Sequence, residues 1–181
     1  MKAITFEGIK NLSYRSVPDP VIHDPKDVIV KVQYTAICGS DLHVYHGRET
    51  GIDAGTIMGH EFTGYIVDTG ANVTSLRIGD HIVSPFTTNC GKCDFCRIGL
   101  TARCLNGQLF GWIEKGIGLH GAQAEYVRVP YADSTLLKIP DSIFSEYALM
   151  AGDILSTGYY CAEMAEIRPG KPYVVVGCGP V

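Results

Sequence analysis

From Val28 to Thr35 the chain alternates. Val28, Val30, Val32 and Tyr34 fall on one side, and Ile29, Lys31, Gln33 and Thr35 on the other. A period of two predicts a half-buried strand. Residues 62–67, 81–83 and 124–129 read as further strands. Turn signals separate them at Pro18-Asp19-Pro20, Asp24-Pro25, Gly70-Ala71-Asn72 and Gly79-Asp80. Up to about residue 140 the pattern is therefore mostly β, and 21 glycines favour a compact, sharply turned barrel over a helical bundle. The pattern changes near Asp141. Residues 145–167 are rich in Ala, Leu, Met and Glu, which predicts one or two helices, broken around Asp153 or Gly158 and ended by Pro169-Gly170. The β-branched run Tyr173-Val174-Val175-Val176 then reads as a buried parallel strand. It leads into Gly177-Cys178-Gly179-Pro180-Val181. The predicted division is residues 1–150 against 151–181, with neither repeats nor low-complexity segments.

A hydrophobic content of 46% over 181 residues is ample for a core. Fifteen basic residues stand against 19 acidic ones, a net charge of −4 with His neutral. That balance gives no electrostatic reason to expect nucleic acid or an acidic membrane as partner. Met1-Lys2-Ala3-Ile4-Thr5-Phe6-Glu7 reaches an acidic residue before any apolar stretch of signal-peptide length. No run approaches transmembrane length. Seven cysteines in such a chain fit the reducing cytosol, where thiols persist as metal ligands, so a cytoplasmic location is expected.

Four of those cysteines are close together: Cys90-Gly-Lys-Cys93-Asp-Phe-Cys96, then Cys104 after seven further residues. Four thiolates at this spacing can close a tetrahedral shell around one zinc ion, in a lobe spanning residues 88–106. Three alternatives fit less well. A bacterial ferredoxin run places its fourth cysteine after three residues and before Pro, whereas Leu105 follows Cys104 here. Two disulfides would suit a small secreted domain. A nucleic-acid zinc ribbon usually has two Cys-x-x-Cys pairs some 15–20 residues apart, and Lys92, Arg97 and Arg103 make a thin basic face.

A second constellation has a different character. Cys38 lies just past a predicted strand in Cys38-Gly39-Ser40-Asp41-Leu42-His43, and His60 lies in Gly59-His60-Glu61. A catalytic zinc takes three protein ligands and keeps one position open. Cys38 and His60 can supply two. Asp153, an acidic residue among apolar neighbours in Gly152-Asp153-Ile154-Leu155, is the candidate third, because a burial-prone carboxylate needs a partner. Its local sequence fits a helix N-cap equally well. Cys161 and Cys178 are left over and read as small buried hydrophobes. His23, His46, His81 and His120 read as loop, strand or turn residues without a functional role. A strand followed by Gly177-x-Gly179 is how a dinucleotide-binding unit opens. The third glycine, the phosphate-binding helix and the ribose-reading acid of such a unit would all fall after Val181.

Gly59-His60-Glu61-Phe62-Thr63-Gly64 with Gly70 and Val73, together with Cys38–His43, the four-cysteine lobe, Gly79-Asp80-His81-Ile82-Val83 and the terminal Gly-x-Gly, stand in the order found in the zinc-dependent medium-chain alcohol dehydrogenases. The chain resembles that family over essentially its whole length. The resemblance implies a GroES-like β-barrel with a zinc lobe, followed by C-terminal helices that lead to the first strand of a Rossmann domain. It implies two zinc ions per chain. One is held by Cys90, Cys93, Cys96 and Cys104, and the catalytic one by Cys38, His60 and Asp153. Glu61 would sit beside the catalytic metal. Asp41 would accept a hydrogen bond from the His60 ring. Ser40 would take the substrate proton and His43 pass it to solvent. Gly39 replaces an Arg that contacts cofactor phosphate in some members. Gly177 and Gly179 would belong to the cofactor site. The implied reaction is oxidation of an alcohol to an aldehyde or ketone: zinc stabilises the alkoxide and a hydride passes to NAD or NADP. A homo-oligomer is compatible with this reading. Because the rest of the cofactor unit would lie past Val181, the 181-residue chain alone is expected to be inactive. The alternative reading is a truncated zinc-binding β-barrel module without redox chemistry.

Overall fold

The computed structural model describes residues 1–177 and 179–181, so the expectation for Cys178 lies outside the described residues. A hairpin opens the chain, β1 (Lys2–Gly8) against β2 (Asn11–Ser16). Strand β3 (Val28–Thr35) follows, then helix α1 (Gly39–Tyr45), β4 (Phe62–Thr69) and β5 (His81–Ser84). The cysteine lobe contains the short helix α2 (Asp94–Arg97) and a 3-10 turn at Thr101–Arg103. Beyond it come the small hairpin β6 (Trp112–Glu114) and β7 (Ile117–Leu119), then β8 (Tyr126–Val129), helix α3 (Ala132–Thr135) and β9 (Leu137–Lys138). Helices α4 (Ser145–Met150) and α5 (Ile154–Met164) complete the order.

The main sheet is antiparallel, in the order β8-β3-β4-β5-β9. Single bridges, Ala3 to Ala124 and Thr5 to Ile57, tie the first hairpin to the segments that lead into β8 and β4. The alternation along β3 puts Val28 and Val30 in the main core with Phe62, Ile66, Ile82, Val127 and Val129. Ile29 on the opposite face is buried too, so the first half of β3 is covered on both sides. The rings of Phe62 and Phe110 meet edge-on at 5.2 Å in this core, a favoured aromatic geometry.

The helical region breaks as expected, between α4 and α5 at residues 151–153. Helix α4 docks on the sheet: Ala148 packs with Val83 and Ile139. The buried Ser145 hydroxyl is 2.9 Å from Gln33 Oε1 and 2.8 Å from His81 Nε2. Helix α5 buries none of its residues.

Two expectations need correction here. The run Tyr173–Val176 forms no strand: Val174, Val175 and Val176 are more than 80% exposed and pair with nothing among the described residues. A β-branched run becomes a parallel strand only when neighbouring strands supply its hydrogen bonds and cover its faces. Cys161, expected to be a small core residue, is exposed on α5, because none of that helix's residues is buried by the described chain.

Candidate metal centres

The four cysteines of the lobe converge. The Sγ atoms of Cys90, Cys93, Cys96 and Cys104 all lie within 4.8 Å of one another. Cys93 is 3.5 Å from Cys96 and 3.9 Å from Cys104, sulfur to sulfur. Four sulfurs arranged tetrahedrally about zinc would lie about 3.8 Å apart. Cys93 is the N-cap residue of α2 and Cys96 lies one turn on, so the helix itself sets their spacing. Donors surround the sulfurs: Cys90 N reaches Cys104 Sγ at 3.2 Å, while Asn106 reaches Cys104 with its backbone N and Cys90 with its Nδ2, both at 3.4 Å. Backbone N–H groups, that of Lys92 foremost, pull Cys90 down to about 6. Desolvation and the neighbouring sulfurs push Cys96 up to about 12. Thiols this close cannot all ionise against each other. A dication is what lets them do so, and the donor set therefore fits zinc.

The lobe is moored at its base. Asn89 is buried, its N–H donates to Thr135 Oγ1 at 3.0 Å and its Nδ2 to the Ser134 carbonyl at 2.8 Å. Thr88 and Gln108 exchange hydrogen bonds across its neck.

The second group is assembled by the fold. Register brings its parts together: Thr35 at the end of β3 pairs with Phe62 at the start of β4. The Glu61 carbonyl accepts hydrogen bonds from Ala36 N at 3.2 Å and Thr35 Oγ1 at 2.9 Å. Cys38, two residues past Ala36, thus meets the His60-Glu61 pair. Gly59 enables the approach of His60. Its φ of +90° is unfavourable for L-residues, and a Cβ there would lie 2.5 Å from Gln123 Cγ. Asp153 arrives from the α4–α5 corner, where a Cβ on Gly152 would lie 2.5 Å from the Ser84 carbonyl. That close approach places Asp153 beside strand β5, which pairs with β4 at Phe62.

The donor atoms of Cys38, His60, Glu61 and Asp153 lie within 4.8 Å of one another. Asp153 Oδ2 is 3.5 Å from His60 Nε2 and 3.8 Å from Cys38 Sγ. Tetrahedral zinc would set these pairs about 3.4 and 3.6 Å apart. Burial raises the pKa of Asp41, Glu61 and the Cys38 thiol alike. A thiol and three carboxylates around one imidazole lack positive charge, and a divalent cation supplies it.

The remaining residues of the motif sit around this group. Asp41 Oδ2 accepts the Cys38 N–H at 2.9 Å, the reach-back of an N3 acid at a helix start. Its Oδ1 is 3.7 Å from His60 Nδ1, longer than a hydrogen bond. Ser40 Oγ is 3.3 Å from His60 Nε2. His43 is half-exposed, with Nδ1 3.6 Å from Glu49 Oε1. A cavity of about 250 Å³ opens beside Ser40, His60 and Asp153, walled by Val44, Met58, Phe86, Leu109, Phe110 and Trp112. A second, of about 450 Å³, lies on the Cys38 and Glu61 side and is bordered by Gly177 and Gly179.

A closed sulfur shell beside an open mixed group on this fold has a counterpart in known proteins. The profile of the alcohol dehydrogenase GroES-like domain matches residues 24–141. The chain belongs to the zinc-type medium-chain alcohol dehydrogenase family. Over its whole length it is 44% identical to a medium-chain reductase/dehydrogenase of Acremonium sp. and 43% identical to zinc-type alcohol dehydrogenase B of Aspergillus flavus. It spans 63% and 42% of those proteins. An alcohol dehydrogenase of Thermus sp. ATN1 superposes with a TM-score of 0.88 at 39% identity, over 94% of this chain and 49% of the other. Both zinc-type groups expected of an alcohol dehydrogenase of this kind are thus present in the chain.

Three site residues escaped the sequence reading. Gln123 Nε2 donates to Asp41 Oδ2 at 3.3 Å, and its backbone N–H to the Met58 carbonyl at 2.8 Å. His81, read as functionless, tethers α4 through Ser145 and so holds the corner that carries Asp153. Glu49 borders the smaller cavity. Gln123 and His81 act through partners distant in sequence, Glu49 matters only through the cavity it borders, and no local pattern marks any of the three.

Proposed function

We propose that this chain is the metal- and alcohol-binding portion of an NAD- or NADP-dependent dehydrogenase that interconverts an alcohol with its aldehyde or ketone. Residues 1–150 form the catalytic domain, and 151–181 begin the cofactor-binding portion. The observation that carries the reading is the convergence of Cys38, His60 and Asp153 at the end of an apolar-walled cavity.

Cys38, His60 and Asp153 hold the metal, with Glu61 adjacent. A zinc ion there supplies Lewis acidity toward the alcohol or carbonyl oxygen. Ser40, whose Oγ is 3.3 Å from His60 Nε2, would accept the substrate's hydroxyl proton while passing on its own. His43, half in solvent, carries that proton away. Asp41 holds the first turn of α1 and, through it, the positions of Cys38 and Ser40. The aromatic wall excludes water from the reacting end. Gly177 and Gly179 lie on the opposite side, where the hydride acceptor would approach. The residues that bind most of that cofactor belong to a longer protein of the family, so the 181-residue chain alone should turn over no alcohol.

The chain's single tryptophan gives the test, because Trp112 lines the cavity. Ethanethiol is a thiol stand-in for a short alcohol whose sulfur seeks zinc. Added to the zinc-loaded chain, it should change Trp112 fluorescence saturably. Prior chelation or Cys38→Ser should abolish the change. A response that survives zinc removal, or no response in the loaded chain, would contradict the proposal.

A further inference from the structure

The smaller cavity has an asymmetric charge. Its lining includes the carboxylates Asp41, Glu49 and Asp153 but neither lysine nor arginine. Two of those carboxylates are committed: Asp153 faces Cys38 and His60, and Asp41 accepts from Cys38 N and Gln123. Glu49 differs. It lies just past α1, its backbone N–H bonded to the His43 carbonyl at 3.3 Å. Its carboxylate is half-exposed, and the nearest ionisable side chain is the His43 ring at 3.6 Å, outside hydrogen-bond range. An ionised carboxylate offers about four acceptor sites. Those of Glu49 accept no hydrogen bond among the described residues, and they border a cavity whose polar groups, Ser40, Asp41, His60 and Asp153, stand with an apolar and aromatic wall.

We propose that Glu49 is a specificity-determining residue. It favours small alcohols that carry a second hydrogen-bond donor, a hydroxyl or an ammonium group, and it disfavours alcohols that carry a carboxylate. This rests on the functional reading above, in which the reacting oxygen sits at the metal end of the same cavity. The physical basis is twofold. A donor placed against a charged acceptor at a partly desolvated rim gains a charge-assisted hydrogen bond. A ligand carboxylate in the same place meets like charge in a cavity lined by neither lysine nor arginine, and specificity by repulsion follows. Glu49 lies at the edge of the cavity, so its effect is reduced by solvent from that of a buried charge pair.

The test uses four thiols as stand-ins for alcohols, bound to the zinc-loaded 181-residue chain and read by Trp112 fluorescence. Ethanethiol has no second group, 2-mercaptoethanol has a hydroxyl, cysteamine an ammonium and mercaptoacetate a carboxylate. For each ligand the Kd of Glu49→Gln is divided by that of the wild type, which cancels the differing acidities of the thiols. We expect the ratio to be near one for ethanethiol, to rise about fivefold for cysteamine and to fall about fivefold for mercaptoacetate. Glu49→Leu removes the acceptor as well as the charge, and should bring 2-mercaptoethanol down to the affinity of ethanethiol. Equal ratios for all four ligands, or a ratio for mercaptoacetate above one, would overturn the role of Glu49 while leaving the metal-site reading intact. If ethanethiol itself gives no zinc-dependent response, the functional reading fails and this inference falls with it. Both variants change a half-exposed loop side chain, so the fold should tolerate them.

Discussion

The cysteine lobe and the mixed group each gather four donors within 4.8 Å, yet they are built in opposite ways. The outermost lobe ligands, Cys90 and Cys104, are 14 positions apart, whereas Cys38 and Asp153 are separated by 115. The lobe makes its own geometry from one helical turn and a 3-10 turn. The mixed group has no geometry until β3 pairs with β4 and α4 docks on the sheet. The donors differ as well. Four thiolates close a coordination shell, while thiolate, imidazole and carboxylate beside a cavity leave a position for another molecule. A local site depends on its metal for its fold; a non-local site depends on the fold for its metal.

This contrast can be broken most severely in the lobe. Cys93→Ser removes a ligand from a segment that has almost no apolar core of its own. It should cost at least about 3 kcal/mol in urea unfolding and reduce zinc from two ions per chain to one. Unchanged stability would show that the lobe does not rely on its metal. Asp153→Ala should also remove one zinc, now from the mixed group, with a smaller loss of stability than Cys93→Ser. Two zinc ions retained in Asp153→Ala would make its assignment as the third ligand wrong.

A finer test separates dependence on the fold from dependence on ligands. Ser145 touches neither metal group, but its hydroxyl ties α4 to Gln33 and His81. Ser145→Ala should cost about 1–2 kcal/mol through these buried partners. It should weaken zinc at the mixed group severalfold in a competition titration and leave the lobe unaffected. Equal weakening of both groups would remove the distinction.

The smallest effect concerns the mooring of the lobe. Asp133, on α3 next to Ser134 and Thr135, accepts four hydrogen bonds of 2.7–2.9 Å from Thr74 and Ser75. Burial opposes its ionisation, but the Ser75 hydroxyl and the Thr74 and Ser75 N–H groups outweigh that and hold its pKa down to about 2. The stabilisation is therefore present above the unfolded value of about 3.9 and fades as pH falls toward 2. Asp133→Ala should lower stability by about 1 kcal/mol at neutral pH. The difference from wild type should shrink to a small fraction near pH 2 in chemical denaturation curves. A difference undiminished at pH 2 would show that Asp133 does not act through its charge.

The same contrast explains what the sequence disclosed. The lobe could be read directly because its ligands and their spacing share one short segment. Cys38 and His60 stood out through motifs that fix local backbone, such as the positive φ of Gly59. Asp153 left two readings open, and the structure separates position from role: the residue stands at the N-cap of α5 but makes no side-chain capping hydrogen bond to the helix backbone. Its Oδ1 is bonded to Thr157 Oγ1 at 3.1 Å, while Oδ2 faces His60 and Cys38. The alternation that located β3 works where one face meets the core. It gave no sign that Ile29 would be covered too, since burial of a second face depends on distant chain. The hairpin β1–β2 and the seven-residue helix α1 went unread, the latter because it is too short for a helical period to show. Cys161 and Tyr173–Val176 were misplaced for one shared reason: apolar character predicts burial only where something exists to do the burying.

The central claim is that the chain holds one metal that makes part of the fold and another that the fold makes room for. Counting zinc during graded chelation, with circular dichroism recorded on the same samples, tests it most directly. The account predicts two zinc ions per chain at the start, loss of the first without a change in the spectrum, and loss of the second together with lobe structure. A single zinc at the start, or both ions leaving in one step as the fold is lost, would contradict it.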